Sequence, residues 1–104
     1  MNLSEYSAFD GLGLAGLVAR GEVSPRELAW TAAEAVDKVN PILGAVVETY
    51  PDRIAGLDEA MLGDGPFRGV PFLIKDVFGH EKGRKIKFGS RLCRGMVALA
   101  DTNL

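Results

Sequence analysis

The sequence predicts an α/β fold in which helices pack on part of a β-sheet that these residues leave incomplete. Three observations predict it. Two amphipathic stretches carry helix start and stop signals, two short apolar or β-branched runs read as strands, and a third helical stretch separates those runs. Two strands are too few for an independently stable sheet, so the pattern requires strands supplied from elsewhere.

The first helix is predicted over residues 11–20, with Asp10 as N-cap, Leu14, Leu17 and Val18 at helical spacing, and Gly21 after Arg20 as the stop. The second is better marked. Ser24-Pro25-Arg26-Glu27 reads as a capping box with proline at the first helical position, where its missing N–H costs nothing. Such a cap contributes about 1 kcal/mol. Leu28, Ala32, Val36 and Val39 form an apolar stripe, and Asn40-Pro41 is the predicted end, because the residue before proline disfavours helical geometry. Joined only by Gly21-Glu22-Val23, the two helices are expected to pack together.

Ala45-Val46-Val47-Glu48-Thr49-Tyr50 is rich in β-branched residues and reads as a strand bounded by Pro51. A third helix is predicted over residues 52–62, with Ile54, Leu57 and Met61 on one side and Gly63 closing it. The turn-rich Gly65-Pro66-Phe67-Arg68-Gly69 precedes Val70-Pro71-Phe72-Leu73-Ile74, an apolar run of strand length. Pro71, lacking an N–H, belongs at the start of that strand or on an edge. Residues 78–95 show no period and read as loop, and residues 100–104 resemble the first turn of another helix. Residues 1–104 therefore read as the N-terminal part of one domain, apparently truncated.

Composition narrows the class without naming a function. A chain of 104 residues with 47% hydrophobic and 25% charged residues is of ordinary globular type. Neither a signal-peptide pattern nor an apolar run of membrane-span length occurs, and the single cysteine, Cys93, cannot form an internal disulfide; a soluble, cytoplasmic protein is the expectation. A net charge of −2 gives no general attraction to nucleic acid or to an acidic membrane. The distribution is uneven, however. Residues 1–80 carry twelve acids and six bases, whereas residues 81–94 hold Lys82, Arg84, Lys85, Lys87, Arg91 and Arg94 against Glu81 alone. That run reads first as a solvated loop, with an RNA or phosphate contact and an acidic-substrate pocket as the functional alternatives.

Chemistry concentrates at Gly69-Val70-Pro71-Phe72-Leu73-Ile74-Lys75-Asp76, where an apolar strand delivers a lysine at its C-terminal end. Open α/β sheets place binding sites at such ends. A lysine near its reference value is almost wholly protonated at neutral pH, so it serves as a base only where burial or neighbouring positive charge favours the neutral form. The preceding apolar run is a source of such burial. The competing reading is that Lys75 and Asp76 mark where a strand emerges into water.

Several separated patterns act together: Ser24-Pro25-Arg26-Glu27-Leu28, Val39-Asn40-Pro41 with Ala45-Val46-Val47, Gly65-Pro66, Gly69 to Asp76, and Gly89-Ser90-Arg91-Leu92. In order and spacing they resemble the amidase signature family. The resemblance implies the N-terminal fragment of the amidase-signature fold, with helices on part of a mixed β-sheet. It also implies carboxylic amide hydrolysis by a Ser–cis-Ser–Lys triad without a cofactor, on a small-molecule amide substrate. Lys75 matches the triad lysine, the base that activates a hydroxyl otherwise poorly nucleophilic near neutral pH. Both serines belong to a Gly/Ser-rich segment with no counterpart before Leu104, so the isolated chain is expected to be inactive. The alternative is a non-catalytic binding or assembly module completed by a second chain or by a further copy. Where the family has a small-residue, threonine-containing loop before its Gly-Ser, this chain has Lys85-Ile86-Lys87-Phe88, so the resemblance carries over no particular substrate preference.

Other candidates read as structural. Ser90 follows Gly89 as a turn serine, Ser24 has a capping role, and Ser4 and Ser7 have no catalytic context. His80 and Cys93 are too isolated for a metal site. Gly11-Leu12-Gly13 follows no strand and lacks the Gly-Lys-Ser ending of a phosphate loop, and Trp30 reads as a packing residue.

Overall fold

A computed structural model describes residues 1–103. The chain divides into two compact units, Met1–Pro71 and Phe72–Leu104.

The first unit is helical: α1 (Leu3–Ser7), α2 (Gly11–Ala19), α3 (Pro25–Leu43), α4 (Pro51–Ala55) and a 3₁₀ turn over Glu59–Met61. Helix α2 is as expected, with the Asp10 carboxylate accepting from the Gly13 N–H at 2.8 Å. Its Leu14 and Leu17 join Val23 and the fully buried Leu28 of α3 in one core, against which Met1, Tyr6, Val18 and Val70 pack. The expected packing of the second helix on the first is therefore present, and the connection supplies Val23 to it.

Three local expectations are corrected. Ser24 does cap α3, its Oγ accepting from the Glu27 N–H at 3.1 Å. Glu27 pairs instead with the α-amino group of Met1, so the reciprocal half of the capping box is not made there. A complete capping box stands at α1, between Asn2 and Glu5. Helix α3 also continues through Pro41 to Leu43, where Gly44 takes a left-handed φ of 57° and donates to the Asn40 carbonyl at 2.8 Å. Proline in the final turn removes one amide donor, and the Gly44 N–H satisfies the Asn40 carbonyl immediately before it. The third predicted helix breaks at Gly56 into α4 and the 3₁₀ turn, which Asp58 caps by accepting from the Ala60 N–H at 3.0 Å.

The largest correction concerns the sheet. Among the described residues there is no strand, so neither 45–50 nor 70–74 pairs as predicted. The local reason is visible at Val46. The Asn40 side-chain amide donates to the Val46 carbonyl at 2.7 Å and accepts from its N–H at 2.8 Å, taking both groups a ladder would use. At the second run, the Val70 N–H turns back to the Phe67 carbonyl at 3.0 Å. Gly69 sits at φ 79°, and a Cβ there would lie 2.8 Å from Pro25 Cγ, so the chain presses on the start of α3 where a side chain would not fit.

The second unit consists mainly of turns. Its regular features are a 3₁₀ turn over Arg91–Cys93 and an isolated antiparallel bridge between Lys85 and Val97. Ile86 and Ala98 are its buried apolar residues. Of the helix opening expected at 100–104, residues 100–103 are non-helical and Leu104 lies outside the described residues.

Candidate functional site

Lys75 lies in the second unit, at the end of an irregular segment that begins at Phe72 and turns at Asp76–Phe78. Its side chain is exposed. The apolar run expected to desolvate it does not do so, because Phe72 and Leu73 are themselves 73% and 70% exposed. After the turn the backbone folds back tightly. Phe78 adopts a left-handed φ of 69°, and a Cβ on Gly79 would stand 2.6 Å from Ile74 Cγ2 and 3.0 Å from the Lys75 carbonyl oxygen. Gly79 is thus required for the return path beside Lys75.

Asp76 ties this turn to the basic segment. Its Oδ1 accepts from the Lys87 N–H at 3.0 Å, across eleven positions of sequence. The basic segment is itself folded as a loop: Gly83 donates to the Ala98 carbonyl at 2.9 Å, Ala98 to the Arg84 carbonyl at 2.9 Å, and Ile86 to the Met96 carbonyl at 3.1 Å. The far end is closed by Thr102, whose Oγ accepts from the His80 N–H at 2.9 Å and whose N–H donates to the His80 carbonyl at 3.0 Å. The sequence alone points neither to Thr102 nor to the pairing of Asp76 with Lys87. Both act through pairings distant in sequence, which no local period signals.

The candidates set aside fall as follows. The Ser90 hydroxyl accepts from the Leu92 N–H at 3.2 Å and caps the 3₁₀ turn, the turn role expected of it. The His80 ring stands edge-on to Phe88 at 5.2 Å between centroids. Its Nε2 is buried and has no hydrogen-bond partner among the described residues. Cys93 is a half-buried free thiol, and no group of three metal-ligating side chains is assembled among the described residues. Trp30 is exposed rather than packed, contrary to its expected role.

The first unit holds an open groove of about 540 Å³, lined mainly by apolar side chains including Leu3, Tyr6, Phe9, Leu14, Val39 and Val70. Burial raises the pKa of the Tyr6 phenol above its ordinary range. Lys75 is not among the lining residues.

The arrangement alone offers an exposed amine, a tight glycine turn and a basic loop, which fit more than one chemistry. Known proteins share sequence with this chain. Over 68 residues the chain is 38% identical to 6-aminohexanoate-cyclic-dimer hydrolase of Paenarthrobacter ureafaciens, covering 65% of this chain and 13% of that protein. It is 36% identical over 72 residues to an acylamidase of Rhodococcus erythropolis, covering 62% of this chain and 15% of the relative. It is 31% identical over 97 residues to a glutamyl-tRNA(Gln) amidotransferase subunit of Alkalilimnicola ehrlichii, covering 88% of this chain and 20% of the relative. The chain is a relative of the amidase-signature enzymes.

In the amidotransferase comparison, 88% coverage leaves too few residues outside to exclude position 75, so Lys75 lies within the matched stretch. The chain spans between 13% and 20% of the length of these amidase-signature relatives. No family model matches it, and no solved structure matches it significantly. No helix among the described residues is long and apolar enough to cross a membrane.

Proposed function

We propose that these residues are the N-terminal part of an amidase-type hydrolase, in which Lys75 is the base of a Ser–cis-Ser–Lys triad that cleaves carboxylic amides. The observations that carry this reading are the matches to a cyclic-dimer hydrolase and an acylamidase over part of the chain, and to an amidotransferase subunit over a stretch that includes Lys75. In this chemistry the lysine accepts a proton through the bridging serine as the second serine attacks the amide carbonyl; the C–N bond then breaks, the amine leaving with that proton, and water hydrolyses the acyl-serine ester to the acid and free serine. Oxyanion stabilisation by backbone N–H groups completes it.

Residues 1–104 hold the base and neither triad serine, so on this reading they are inactive alone. In another serine hydrolase, loss of the nucleophile reduces turnover about a millionfold. The exposure of Lys75 suits the same reading, because a base isolated from its serines has nothing to close over it.

A second reading, an assembly module that needs another chain or copy, is favoured by one observation. Phe72, Leu73 and Phe78 are consecutive or nearly so and each more than two-thirds exposed, leaving an apolar segment uncovered around Lys75. The two readings converge if the covering polypeptide is the rest of an amidase.

The test is a chimera in which residues 1–104 replace the matching segment of the Rhodococcus acylamidase. Amide hydrolysis by the chimera, lost by about a thousandfold or more in its Lys75→Ala form, is the expected result. A folded, active chimera indifferent to Lys75→Ala would remove the lysine from the chemistry. The isolated chain should show no fluorophosphonate labelling and no amide turnover above its Lys75→Ala control.

A further inference from the structure

The second unit has an unusual charge arrangement for a segment of an acidic chain. It contains the carboxylates Asp76, Glu81 and Asp101, and each is already engaged. Asp76 accepts from the Lys87 N–H, Asp101 accepts from the Lys82 N–H at 2.8 Å, and Glu81 pairs with Arg84 at 3.8 Å. Two of the three carboxylates therefore anchor loop backbone rather than pair with a cationic side chain. The ammonium and guanidinium groups of Lys75, Lys82, Lys85, Lys87, Arg91 and Arg94 make no ion pair among the described residues. The Asp76 hydrogen bond fixes the middle of this cationic segment to the residue that follows Lys75.

From this we infer that the basic segment 82–94 makes the Lys75 site selective for amides that carry a carboxylate elsewhere in the molecule. This deepens the amidase reading and rests on it. Unpaired cations held beside a reaction centre raise the local concentration of anionic substrate and disfavour cationic ones. A neutral amide gains nothing from them. The solvated-loop alternative does not account for why the loop is tied to the turn after Lys75 through Asp76.

The inference is tested on the full 104-residue chain, uniformly ¹⁵N-labelled, at low ionic strength, with succinamate and its neutral analogue butyramide as matched probes. Succinamate should move the amide signals of residues 75–76 and 85–94 saturably, and butyramide should not. The Lys85→Glu/Lys87→Glu double variant should weaken the succinamate response about tenfold or more, whereas Lys85→Arg/Lys87→Arg should retain it. Retained dispersion of the first-unit signals separates lost binding from lost folding. Equal responses to both amides, a response reproduced by sodium chloride at matched ionic strength, or one that survives the double Glu variant would each overturn the inference. Failure of this binding test is distinct from failure of the chimera test, which reads Lys75 chemistry and not charge selection.

Discussion

Leu14, Leu17, Val23 and Leu28 bury an aliphatic core in the first unit, beneath helices whose ends are capped by Asn2, Asp10, Ser24 and Gly44. The second unit buries Ile86 and Ala98, leaves Phe72, Leu73, Phe78, Leu92 and Leu99 exposed, and is held by hydrogen bonds between loops. The difference concerns where the stabilising surface lies. Helices close their own backbone hydrogen bonds, so α2 and α3 need only one shared apolar seam. Extended segments need neighbours for theirs, and the residues beside Lys75 have none of the β-ladder kind. The unit that holds Lys75 is therefore the one whose backbone is least self-paired among the described residues.

The sharpest way to break this contrast is Leu28→Ala. Leu28 is 0% exposed, and removing a buried leucine costs about 2–5 kcal/mol. Against a total stability of about 4–10 kcal/mol for a unit of this size, that removes about half of it and should lower the melting midpoint steeply. Circular dichroism melts should show it, while Ile86→Ala should leave the helical signal and its midpoint almost unchanged. Hydrogen exchange should agree, with the α3 amides best protected and those of residues 72–78 exchanging rapidly. Equal protection in both units would show that the second is self-sufficient after all.

A smaller effect distinguishes two glycines with similar backbones. Gly69 and Gly83 have φ of 79° and 81°, but a Cβ at Gly69 would meet Pro25 at 2.8 Å, whereas one at Gly83 would meet nothing within 4 Å. Alanine at either position strains the backbone by about 1–2 kcal/mol. Gly69→Ala should cost more in urea unfolding of the first unit, because the α3 start must also shift. If the two variants prove equal, Gly69 is a matter of backbone angle and not of close approach.

The same contrast explains what could be read from sequence. Asp10, Ser24 and the Leu28 stripe announce α2 and α3 because caps and helical periods are local signals. The extension of α3 past Pro41 was not legible, since it depends on the balance between one lost donor and the Gly44 cap. The strands at 45–50 and 70–74 were over-read. β-branched and apolar runs show that a segment can pair, not that a partner is present, and Asn40 occupies Val46 instead. At the candidate site, Lys75 and the basic run were both visible as sequence. Their link through Asp76 and Lys87 was not, because it joins loops eleven residues apart without any repeat. The surroundings expected of Lys75 failed for the same reason as the sheet: both presuppose neighbours.

Ser24→Ala offers a more modest probe of the first unit. Losing the hydroxyl that accepts from Glu27 should cost about 1 kcal/mol, a loss readable as a shift of the urea midpoint with unchanged slope. A change of slope instead would mean that the cap organises more than the first turn of α3.

The smallest expected effect is a pH dependence confined to the first unit. The Met1 α-amino group pairs with Glu27, and that hydrogen bond raises its pKa above the ordinary value near 8.0; burial opposes the rise, and the charges of Glu27 and Glu5 assist it. A group whose pKa is higher folded than unfolded stabilises the fold fully below the unfolded value and loses that contribution as pH climbs through the folded one. Stability should therefore fall gently from about pH 8 upward. The Tyr6 phenol, also raised, adds a loss of the same sign only above its ordinary value near 10.0. Glu27→Gln should flatten the lower window and leave the upper one, and Tyr6→Phe should do the reverse, as read by melting midpoints from pH 7 to pH 11. If Glu27→Gln leaves the slope between pH 8 and 10 intact, the pair is a surface contact without thermodynamic weight, and the start of the chain is held by the packing of Met1 and Tyr6 on the core and by the Thr31 hydroxyl at the Met1 carbonyl.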